Sequence, residues 1–413
     1  MRFLHLADLH LGKTVHGVSM LENGDQGAWV DRFLALTDEV RPDAVVVAGD
    51  VYDRGAPAAE AVELLSRFLT ELARRGVRVM LTAGNHDSGR RLSFAGELLS
   101  ASGVHIAGTL APGGALQRVT LQDEYGPVTF WLMPYVFPAA VSRALGEEMR
   151  DYDAAVRCLL KAQDVDFTQR NVLVAHQNVT AGGAEAPRGG SETMVGGVGQ
   201  VDYTAFEGFD YVALGHIHAG CSVGRESVRY AGSPLCYHFE ETRQRAKGPV
   251  LVTLGPKGAA PGIETRSIEP LHPMREIKGA YAQLRDSELA ADRRGEYLRV
   301  VLTDQRVTGQ TAGFFRELYT GRGSVLMEIA SEYRPFGVSD GAPGSGAVRE
   351  KPVEELFTEF YAERTGGQTP SGAELALLER AGELTRHAPA GSRPTPREIT
   401  ELLAFALEQE GET

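Results

Sequence analysis

Side chains that can bind metal ions follow five apolar runs in the first 220 residues of the chain. They are carboxylates, imidazoles and one amide, and they stand in the stretches Asp8-Leu9-His10, Gly49-Asp50, Gly84-Asn85-His86-Asp87, His176 and Gly215-His216-Ile217-His218. Short apolar runs bounded by Gly or Asp are typical of buried strands in an α/β sheet, and ligands bind beyond the carboxyl ends of such strands. The sequence therefore predicts that these side chains meet in one crevice.

The chemistry that suits such a crevice is hydrolysis of a phosphate ester. Two divalent metals about 3.5–4 Å apart clamp the phosphate, lower the pKa of a bridging water and stabilise the attacking and leaving oxygens. Carboxylate and imidazole ligands together suit manganese or iron-type ions better than calcium, which prefers oxygen ligands alone. Asp50 is the natural bridge between the metals because it follows a central strand. A histidine that is not a ligand could protonate the leaving group.

Each stretch also has an ordinary structural interpretation. A single histidine at a strand end is more often a satisfied core or surface residue than a ligand. Gly49-Asp50 alone is a turn signal, and Asn85-His86-Asp87 after a glycine could cap the helix that follows. The occurrence of all five stretches in this order, each after an apolar run, favours the metal site.

The elements that must position these residues alternate in the first 110 residues. Gly27–Val40 and Ala58–Arg75 place apolar residues at helical spacing, between apolar runs such as Phe3–Ala7 and Ala44–Ala48. This alternation indicates βαβ units. From about residue 115 the runs shorten into predicted strands, which are Leu116–Leu121, Val128–Met133, Val172–His176, Tyr211–Leu214, Val228–Ala231 and Val250–Leu254. The predicted fold class is α/β, a sheet sandwich flanked by helices.

The domain organisation is predicted from shifts in pattern and composition. Residues 1–270 form the main domain, and residues 271–340 form a small α+β cap with strand Tyr297–Thr303, helix Thr311–Tyr319 and strand Ser324–Ile329. Residues 341–350 are a flexible linker by their Gly, Pro and Ser content. Residues 351–413 are predicted to form amphipathic helices. Such helices cannot bury their apolar faces alone, so they either fold back on the main domain or dock on a partner.

Composition excludes several classes of protein. A chain of 413 residues with 43% hydrophobic content can bury a large core and form two or three domains. The cysteines Cys158, Cys221 and Cys236 show no CxxC spacing, which argues against a disulfide framework. No run reaches the roughly 18 apolar residues that span a bilayer, and the N-terminus does not resemble a signal peptide. We therefore expect a cytoplasmic protein.

The charge balance bears on possible partners. A net charge of −13 argues against a protein that holds nucleic acid alone, since such proteins usually show a basic face. Any affinity for DNA would therefore be shared with a partner. The glycine-rich segment Ala181–Gly199 lacks the GxxxxGK[ST] motif, so it is not a P-loop, and we expect a flexible loop near the site.

The series of metal-binding stretches resembles that of the calcineurin-like metallophosphoesterases. More narrowly, Asp8-Leu9-His10-Leu11-Gly12, Ala48-Gly49-Asp50-Val51-Tyr52-Asp53 and Tyr230-Ala231-Gly232-Ser233-Pro234 resemble the SbcD family of bacterial nuclease subunits. The resemblance covers the phosphoesterase domain well and is looser over the cap. Beyond the linker it depends mainly on Val353-Glu354-Glu355-Leu356-Phe357.

The resemblance implies a role for each residue of the site. One metal would be held by Asp8, His10, Asp50 and His218, and the second by Asp50, Asn85, His176 and His216. His86 would act on the leaving 3′ oxygen, and Asp87 would orient His86 through its other ring nitrogen. Archaeal relatives carry a further histidine where this chain has Asp53, so that residue's role does not transfer.

The resemblance also implies the activity and the partners. It implies a Mn²⁺-dependent 3′→5′ exonuclease on double-stranded DNA ends that is also an endonuclease on hairpins and single strands. Such enzymes serve DNA repair, recombination and replication together with the ATPase SbcC, which the C-terminal helices would bind. The family forms homodimers through helices of the nuclease domain. Candidate contacts, which could equally be core residues, are Leu64, Leu65, Phe68, Leu92, Leu98 and Leu99.

Two other functions are compatible with the same metal ligands. The first is a phosphatase or phosphodiesterase for a small substrate, although such an enzyme needs neither the cap nor the helical tail. The second is a scaffold with a vestigial metal site whose tail regulates an ATPase. The presence of every ligand and of the proposed acid argues against the scaffold.

Overall fold

The computed structural model describes residues 1–185, 199–243 and 247–333, with a few residues between 357 and 378. The chain divides into two compact units, Met1–Tyr333 and Arg334–Thr413. The predicted linker and almost all of the predicted C-terminal helices lie outside the described residues, as does most of the predicted loop Ala181–Gly199.

The first unit contains both helices and strands. Its helices are α1 Asp25–Val40, α2 Ala59–Arg74, α3 Gly89–Leu92, α4 Gly96–Ala101, α5 Pro138–Leu145, α6 Tyr152–Lys161, α7 Tyr281–Ala290 and α8 Gly309–Thr320. Its strands are β1 Arg2–Leu6, β2 Thr14–Val15, β3 Val18–Ser19, β4 Ala44–Ala48, β5 Arg78–Thr82, β6 Val104–Ala107, β7 Gln117–Asp123, β8 Gly126–Met133, β9 Arg170–His176, β10 Asn178–Ala181, β11 Ala184–Glu185, β12 Gln200–Asp202, β13 Tyr211–Gly215, β14 Cys221–Val223, β15 Arg225–Tyr230, β16 Val250–Thr253, β17 Gly262–Thr265, β18 Met274–Gly279, β19 Tyr297–Leu302 and β20 Val325–Ser331.

Two six-stranded mixed sheets form the main body of this unit. The first has the order β17-β16-β1-β4-β5-β6, in which β1, β4, β5 and β6 run parallel. The second has the order β14-β15-β13-β9-β8-β7, in which β15, β13, β9 and β8 run parallel. Antiparallel strands close one edge of the first sheet, at β16 and β17, and both edges of the second, at β14 and β7. Each sheet therefore has a block of parallel strands whose carboxyl ends can carry a site.

The alternation of side chains along each strand explains why the sheets pack face to face. In β4, Val46 and Ala48 belong to the apolar layer between the two sheets, whereas Val45 and Val47 pack in the layer of α1 and α2. Successive side chains of a strand point to opposite faces, so a strand covered on both faces must be apolar throughout. Helices α5 and α6 cover the outer face of the second sheet in the same way.

The predicted α/β architecture with flanking helices is confirmed, and α5, α6 and α7 are among the helices that the prediction missed. The predicted helices Gly27–Val40 and Ala58–Arg75 correspond to α1 and α2. Helices α5 and α6 lie in the region predicted to contain strands alone. Both carry start signals that could have located them, since α5 begins with proline and Asp151 Oδ1 accepts a hydrogen bond from Ala154 N at 2.8 Å.

The candidate dimer residues divide between the core and the surface. Leu64, Leu65, Phe68 and Leu92 are buried in the core of the first sheet and its helices. Leu98 is 76% exposed, and its neighbour Phe94 is 81% exposed. For the four buried residues, the core interpretation is therefore the correct one.

Residues 274–331 form a smaller α/β layer within the same compact unit. Strands β18, β19 and β20 run parallel and α7 and α8 pack on them around Leu298, Phe315 and Tyr319. The buried carboxylate of Asp25, in the first turn of α1, holds this layer to the sandwich. Its Oδ2 accepts a hydrogen bond from Tyr297 Oη at 2.6 Å, and its Oδ1 lies 3.0 Å from His272 Nδ1.

Two observations concern the predicted class of protein. Cys158, Cys221 and Cys236 are all free thiols, as their spacing predicts. Among the helices of the described part of the chain, none is both long enough and apolar enough to cross a membrane.

A buried arginine joins the two sheets at the end opposite the predicted site. Arg170, at the start of β9, is 2% exposed and donates to the carbonyls of Gly126 and Gly255 at 2.6 and 3.0 Å. It also pairs with Asp123, which receives the N-terminal ammonium of Met1 as well. The hydrogen bonds from Arg170 hold the pKa of Asp123 well below its usual range.

We predict that Arg170→Met lowers the free energy of unfolding by about 3–5 kcal/mol, because it leaves a buried carboxylate short of its partner. Urea unfolding monitored by circular dichroism measures the change. Arg150→Met is the control, since Arg150 is exposed and its replacement should stay within about 0.5 kcal/mol. Equal losses in the two variants would contradict the anchoring role of Arg170.

Candidate metal centre

The predicted ligands converge at the carboxyl ends of parallel strands from both sheets. From the first sheet, Asp8 and His10 follow β1, Asp50 follows β4 and Asn85 follows β5. From the second sheet, His176 ends β9, and His216 and His218 follow β13. Because β1, β4 and β5 are neighbours and β9 pairs with β13, these ends meet at the seam between the sheets.

The backbone at these positions adopts unusual conformations. Asp8, His10, Asp50 and His216 have positive φ angles of 54°, 42°, 48° and 108°. A residue other than glycine held in this region costs about 1–3 kcal/mol, and such strain concentrates at functional sites. The surrounding contacts of each residue must offset that cost.

Two glycines make room for the ligands. A Cβ on Gly49, where φ is +80°, would lie 2.3 Å from His176 Nδ1. A Cβ on Gly84 would lie 2.1 Å from Asp50 Oδ1. Only glycine therefore lets the strand ends approach closely enough to bring Asp50 and His176 together.

One group of donors is formed by Asp8, His10 and His218, whose ligand atoms lie within 4.8 Å of one another. The Nε2 atoms of His10 and His218 are 3.1 Å apart. All three side chains are buried, with exposures of 0%, 1% and 4%. Two nitrogen lone pairs at this distance repel each other unless a proton or a metal ion lies between them.

A second group is formed by Asp8, Asp50 and His176, again within 4.8 Å. His176 Nδ1 donates to Ala48 O at 2.8 Å, which leaves Nε2 to face Asp50 Oδ2 at 3.4 Å and Asn85 Oδ1 at 3.1 Å. His216 Nδ1 also lies 3.0 Å from Asn85 Oδ1. Asn85 Oδ1 therefore lies close to a ring nitrogen of both His176 and His216.

Asp50, a member of the second group, also approaches His10 of the first. Its Oδ1 accepts a hydrogen bond from His86 N at 2.9 Å. Its Oδ2 is 3.6 Å from His10 Nε2 and 3.4 Å from His176 Nε2. One carboxylate oxygen thus faces both donor groups, as expected for a ligand that bridges two ions.

The electrostatics of the centre favour a bound cation. Burial raises the pKa of Asp8 to about 7, against the attraction of His176 and His218. Burial opposes charge on His176, but Asp50 outweighs it and raises the pKa of His176 to about 9. Burial and the charge of His176 lower the pKa of His216 to about 3. Without metal, a proton on His176 therefore compensates the buried carboxylates.

The donor set also fits divalent metal ions. Asp8 Oδ1 accepts a hydrogen bond from His216 N at 2.9 Å, whereas Asp8 Oδ2 is buried with no hydrogen-bond partner among the described residues. An orphaned buried carboxylate oxygen is costly unless it binds a cation. Carboxylate, imidazole and amide groups at these distances supply the ligands for such a cation.

His86 lies at the open side of the centre. Its side chain is 41% exposed, and its Nε2 is 4.0 Å from Asp50 Oδ2. Its Nδ1 lies 2.9 Å from the carbonyl oxygen of Asp53, which fixes the proton on Nδ1. Asp53 itself pairs with Lys13 through its side chain at 2.8 Å.

The expectation that Asp87 orients His86 is corrected by these contacts. The carboxylate of Asp87 instead accepts hydrogen bonds from the backbone N–H groups of Val51, Tyr52 and Gly84, at 3.1, 2.9 and 2.9 Å. It therefore holds together the two loops that carry Asp50 and Asn85. The spacing of Asn85-His86-Asp87 does not reveal which way a carboxylate turns within such a loop.

Three further residues at the centre were not singled out by the sequence analysis. Tyr135 stacks on His216, with ring centroids 6.3 Å apart. Gln26, the second residue of α1, donates to His10 O at 2.8 Å and accepts from Gly12 N at 2.9 Å. Glu241 lies 3.2 Å from His218 Nδ1. None belongs to a metal-binding stretch, so only the three-dimensional arrangement identifies them.

A comparison with known protein families identifies the class of this protein. The family model described as calcineurin-like phosphoesterase matches residues 1–220, more than half of the chain. The chain therefore belongs to the calcineurin-like phosphoesterase family, and it is a phosphoesterase hydrolase with candidate buried His/Asp metal sites.

Within this family the chain is similar to the SbcD nuclease subunits. It is 28% identical over 311 residues to the SbcD subunit of the nuclease SbcCD from Staphylococcus epidermidis, a match that covers 74% of this chain and 79% of the relative. A second family model, the type 5 capsule protein repressor C-terminal domain (SbcD_C), matches residues 270–365. A solved structure, TT1561 of Thermus thermophilus, is 11% identical with a TM-score of 0.32, covering 56% of this chain and 89% of its own. A TM-score this low supports no conclusion about the fold or function of this chain.

We predict that Mn²⁺ stabilises the protein and that Asp50→Asn removes most of this effect. A ligand at 100 times its dissociation constant stabilises the folded state by about 2.7 kcal/mol for each site. Thermal unfolding with Mn²⁺ and with a chelator measures the difference. Glu63→Gln, at an exposed position of α2, should keep the wild-type response. An unchanged response in Asp50→Asn would argue against the bridging position.

We predict that Asp87→Asn lowers the free energy of unfolding by about 1–3 kcal/mol, since an amide cannot accept three backbone hydrogen bonds as the carboxylate does. His86→Ala, at an exposed side chain, should change it by less than about 0.5 kcal/mol. Urea unfolding of the two variants in chelator compares them. If Asp87→Asn lost less unfolding free energy than His86→Ala, Asp87 would not hold together the two loops that carry Asp50 and Asn85.

Proposed function

We propose that this protein is a two-metal DNA nuclease, and that Asp8, His10, Asp50 and His218 hold one ion and Asp50, Asn85, His176 and His216 the other. The observation that carries the proposal is the position of Asp50 Oδ2, 3.6 Å from His10 Nε2 and 3.4 Å from His176 Nε2. When bound, the two ions, most simply Mn²⁺, lower the pKa of water and neutralise the charge that develops on the phosphate.

His86 is the proposed general acid. Its Nδ1 proton is held by the carbonyl of Asp53, so a second proton on Nε2 can pass to the leaving 3′ oxygen. The side chain is 41% exposed, and its Nε2 lies 4.0 Å from Asp50 Oδ2. The imidazole thus stands beside the proposed bridging ligand and can reach a bound substrate.

The substrate class rests on the similarity to the SbcD subunit of the nuclease SbcCD. By that similarity, the protein acts as a 3′→5′ exonuclease on double-stranded DNA ends and as an endonuclease on hairpins and single strands, in DNA repair, recombination and replication. Residues 271–340 are the proposed cap that faces the DNA. The net charge of −13 supports sharing of the DNA with a partner, which we propose is an SbcC-type ATPase bound by residues 351–413 beyond the linker 341–350.

The proposed nuclease domain has an apolar groove on its surface. The proposed occupant of this groove is a second copy of the chain. The groove has a volume of about 610 Å³ and runs between α2 and the segment of α3 and α4, with Leu65, Phe94 and Leu99 among its lining residues. Val62 and Phe94, which line the groove, are 44% and 81% exposed, and Leu98 in α4 is 76% exposed. Large exposed apolar side chains at one place favour a protein–protein contact, and a homodimer would cover them.

We predict that His86→Ala lowers the rate of Mn²⁺-dependent cleavage of an end-labelled linear duplex by about 10²–10⁴-fold. Wild type and variant should bind the same number of Mn²⁺ ions, because His86 is not a proposed ligand. Gel analysis of the labelled products gives the rate, and metal analysis after dialysis gives the stoichiometry.

Two outcomes of this experiment would revise the proposal. Loss of a metal ion in His86→Ala would make His86 a ligand. Turnover of a small chromogenic phosphodiester by wild type, with no cleavage of duplex DNA in the presence or absence of an SbcC-type partner, would support a small-substrate phosphodiesterase of the same family.

A further inference from the structure

A buried carboxylate lies directly behind one of the proposed metal ligands. Glu241, in the 3₁₀ turn Phe239–Arg243, is fully buried. Its Oε1 lies 3.2 Å from His218 Nδ1, and its Oε2 accepts a hydrogen bond from Tyr237 N at 3.2 Å. Lys247 Nζ forms an ion pair with the same carboxylate at 2.7 Å.

The motif around Ser233 belongs to this cluster. Ser233 Oγ lies 3.0 Å from Glu241 Oε2 and accepts a hydrogen bond from Lys247 Nζ at 2.6 Å. The carbonyl of His218 accepts hydrogen bonds from Ser233 N at 3.2 Å and from Lys247 Nζ at 3.1 Å. The metal chemistry alone gives the segment Tyr230–Pro234 no role. Its Ser233 donates a hydrogen bond to the carbonyl of His218, while Glu241 contacts the ring of His218.

The contact with Glu241 sets the tautomer of His218. An ionised carboxylate only accepts hydrogen bonds, so Nδ1 must carry the proton and Nε2 keeps its lone pair. That Nε2 is the atom 3.1 Å from His10 Nε2, within the group of Asp8, His10 and His218. A carboxylate behind a metal-bound imidazole also makes the imidazole a stronger donor.

The contacts of Glu241 favour the ionised carboxylate that this role requires. Lys247 Nζ lies 2.7 Å from Oε2, and Tyr237 N and Ser233 Oγ both donate to the same oxygen. A buried ion pair is weak evidence for a purely stabilising role, since apolar residues of similar volume often serve stability as well. A carboxylate kept ionised beside a ligand is better explained by what it does to the ligand.

The second group of donors is supported differently. His176 Nδ1 donates to a neutral backbone carbonyl, that of Ala48, at 2.8 Å. His216 turns its Nδ1 toward Asn85 Oδ1, so this nitrogen belongs to the donor group itself. The negative charge of Glu241 therefore acts on the ion of Asp8, His10 and His218 in preference to the other.

We propose that Glu241 is a positioning residue that fixes the Nδ1–H tautomer of His218 and strengthens one of the two metal sites, with Lys247 and Ser233 holding the carboxylate in place. This inference rests on the proposed two-metal function. It adds that Glu241 strengthens metal binding at only one of the two sites. Removal of the carboxylate charge should weaken the site that contains His218 and leave the other near its original affinity.

The test is a titration of metal-free protein with Mn²⁺, followed by calorimetry and by the electron paramagnetic resonance signal of free Mn²⁺. Glu241→Gln should lower the affinity of one site by about 10–100-fold, the usual effect of losing such a partner. The double variant Glu241→Gln with Lys247→Met, which leaves no unpaired buried lysine, should show the same loss. Glu288→Gln is the matched control, since it removes a buried carboxylate in α7 that pairs with Arg275 of β18, away from the candidate metal centre.

A second readout needs no metal. The ¹⁵N shifts of the His218 ring in metal-free protein should report the Nδ1–H tautomer in wild type and in Glu288→Gln, and a mixture of tautomers in the double variant. Wild-type affinity at both sites in folded Glu241→Gln or in the double variant would overturn the inference, and so would equal weakening of both sites.

Failure of the inference can be distinguished from failure of the proposed function. If wild type binds two Mn²⁺ ions and cleaves no DNA, the substrate assignment fails while a selective loss in Glu241→Gln still supports the role of Glu241. If wild type cleaves DNA and Glu241→Gln keeps both affinities, only the role of Glu241 is refuted. If wild type binds fewer than two ions, both are refuted.

Discussion

The burial of Asp8 and Asp50 at the seam of two sheets is the constraint on which the rest of this structure depends. Two carboxylates removed from water cannot both stay ionised without a compensating positive charge. In the absence of metal, a proton on His176 supplies part of it, which is why the pKa of His176 rises to about 9 despite its burial. The surrounding imidazoles and Asn85 offer the ligands through which divalent cations supply it instead.

The fold provides this arrangement through its parallel strands. Each donor lies at or just after the end of a strand that is packed on both faces. This packing fixes the register of the strand and therefore the position of the donor. Gly49 and Gly84 let the strand ends approach within the distance that a Cβ would prevent. The carboxylate of Asp87 then ties the loops after β4 and β5 together through three backbone hydrogen bonds. Side chains from both sheets reach one place only because the backbone adopts a strained conformation locally. The residues with positive φ angles there are Asp8, His10, Asp50 and His216.

The sequence predicted the convergence of the ligands because apolar runs that end in Asp, His or Asn mark the carboxyl ends of strands. It also predicted α1, α2 and the β19–α8–β20 unit, whose periodic patterns are long. It missed α5, α6 and α7, none of which is longer than 10 residues. The orientation of Asp87 and the position of Glu241 could not be predicted, since both depend on how irregular segments fold. Glu241 stands 23 residues after the histidine it contacts, in a polar turn with no sequence signal.

The first turn of α1 couples two parts of the molecule. Asp25 contacts His272, just before the smaller layer, and Tyr297 within it, and the next residue, Gln26, contacts the carbonyl of His10 and the N–H of Gly12. A single peptide unit of α1 therefore joins the contacts of the smaller layer to those of the loop that carries His10.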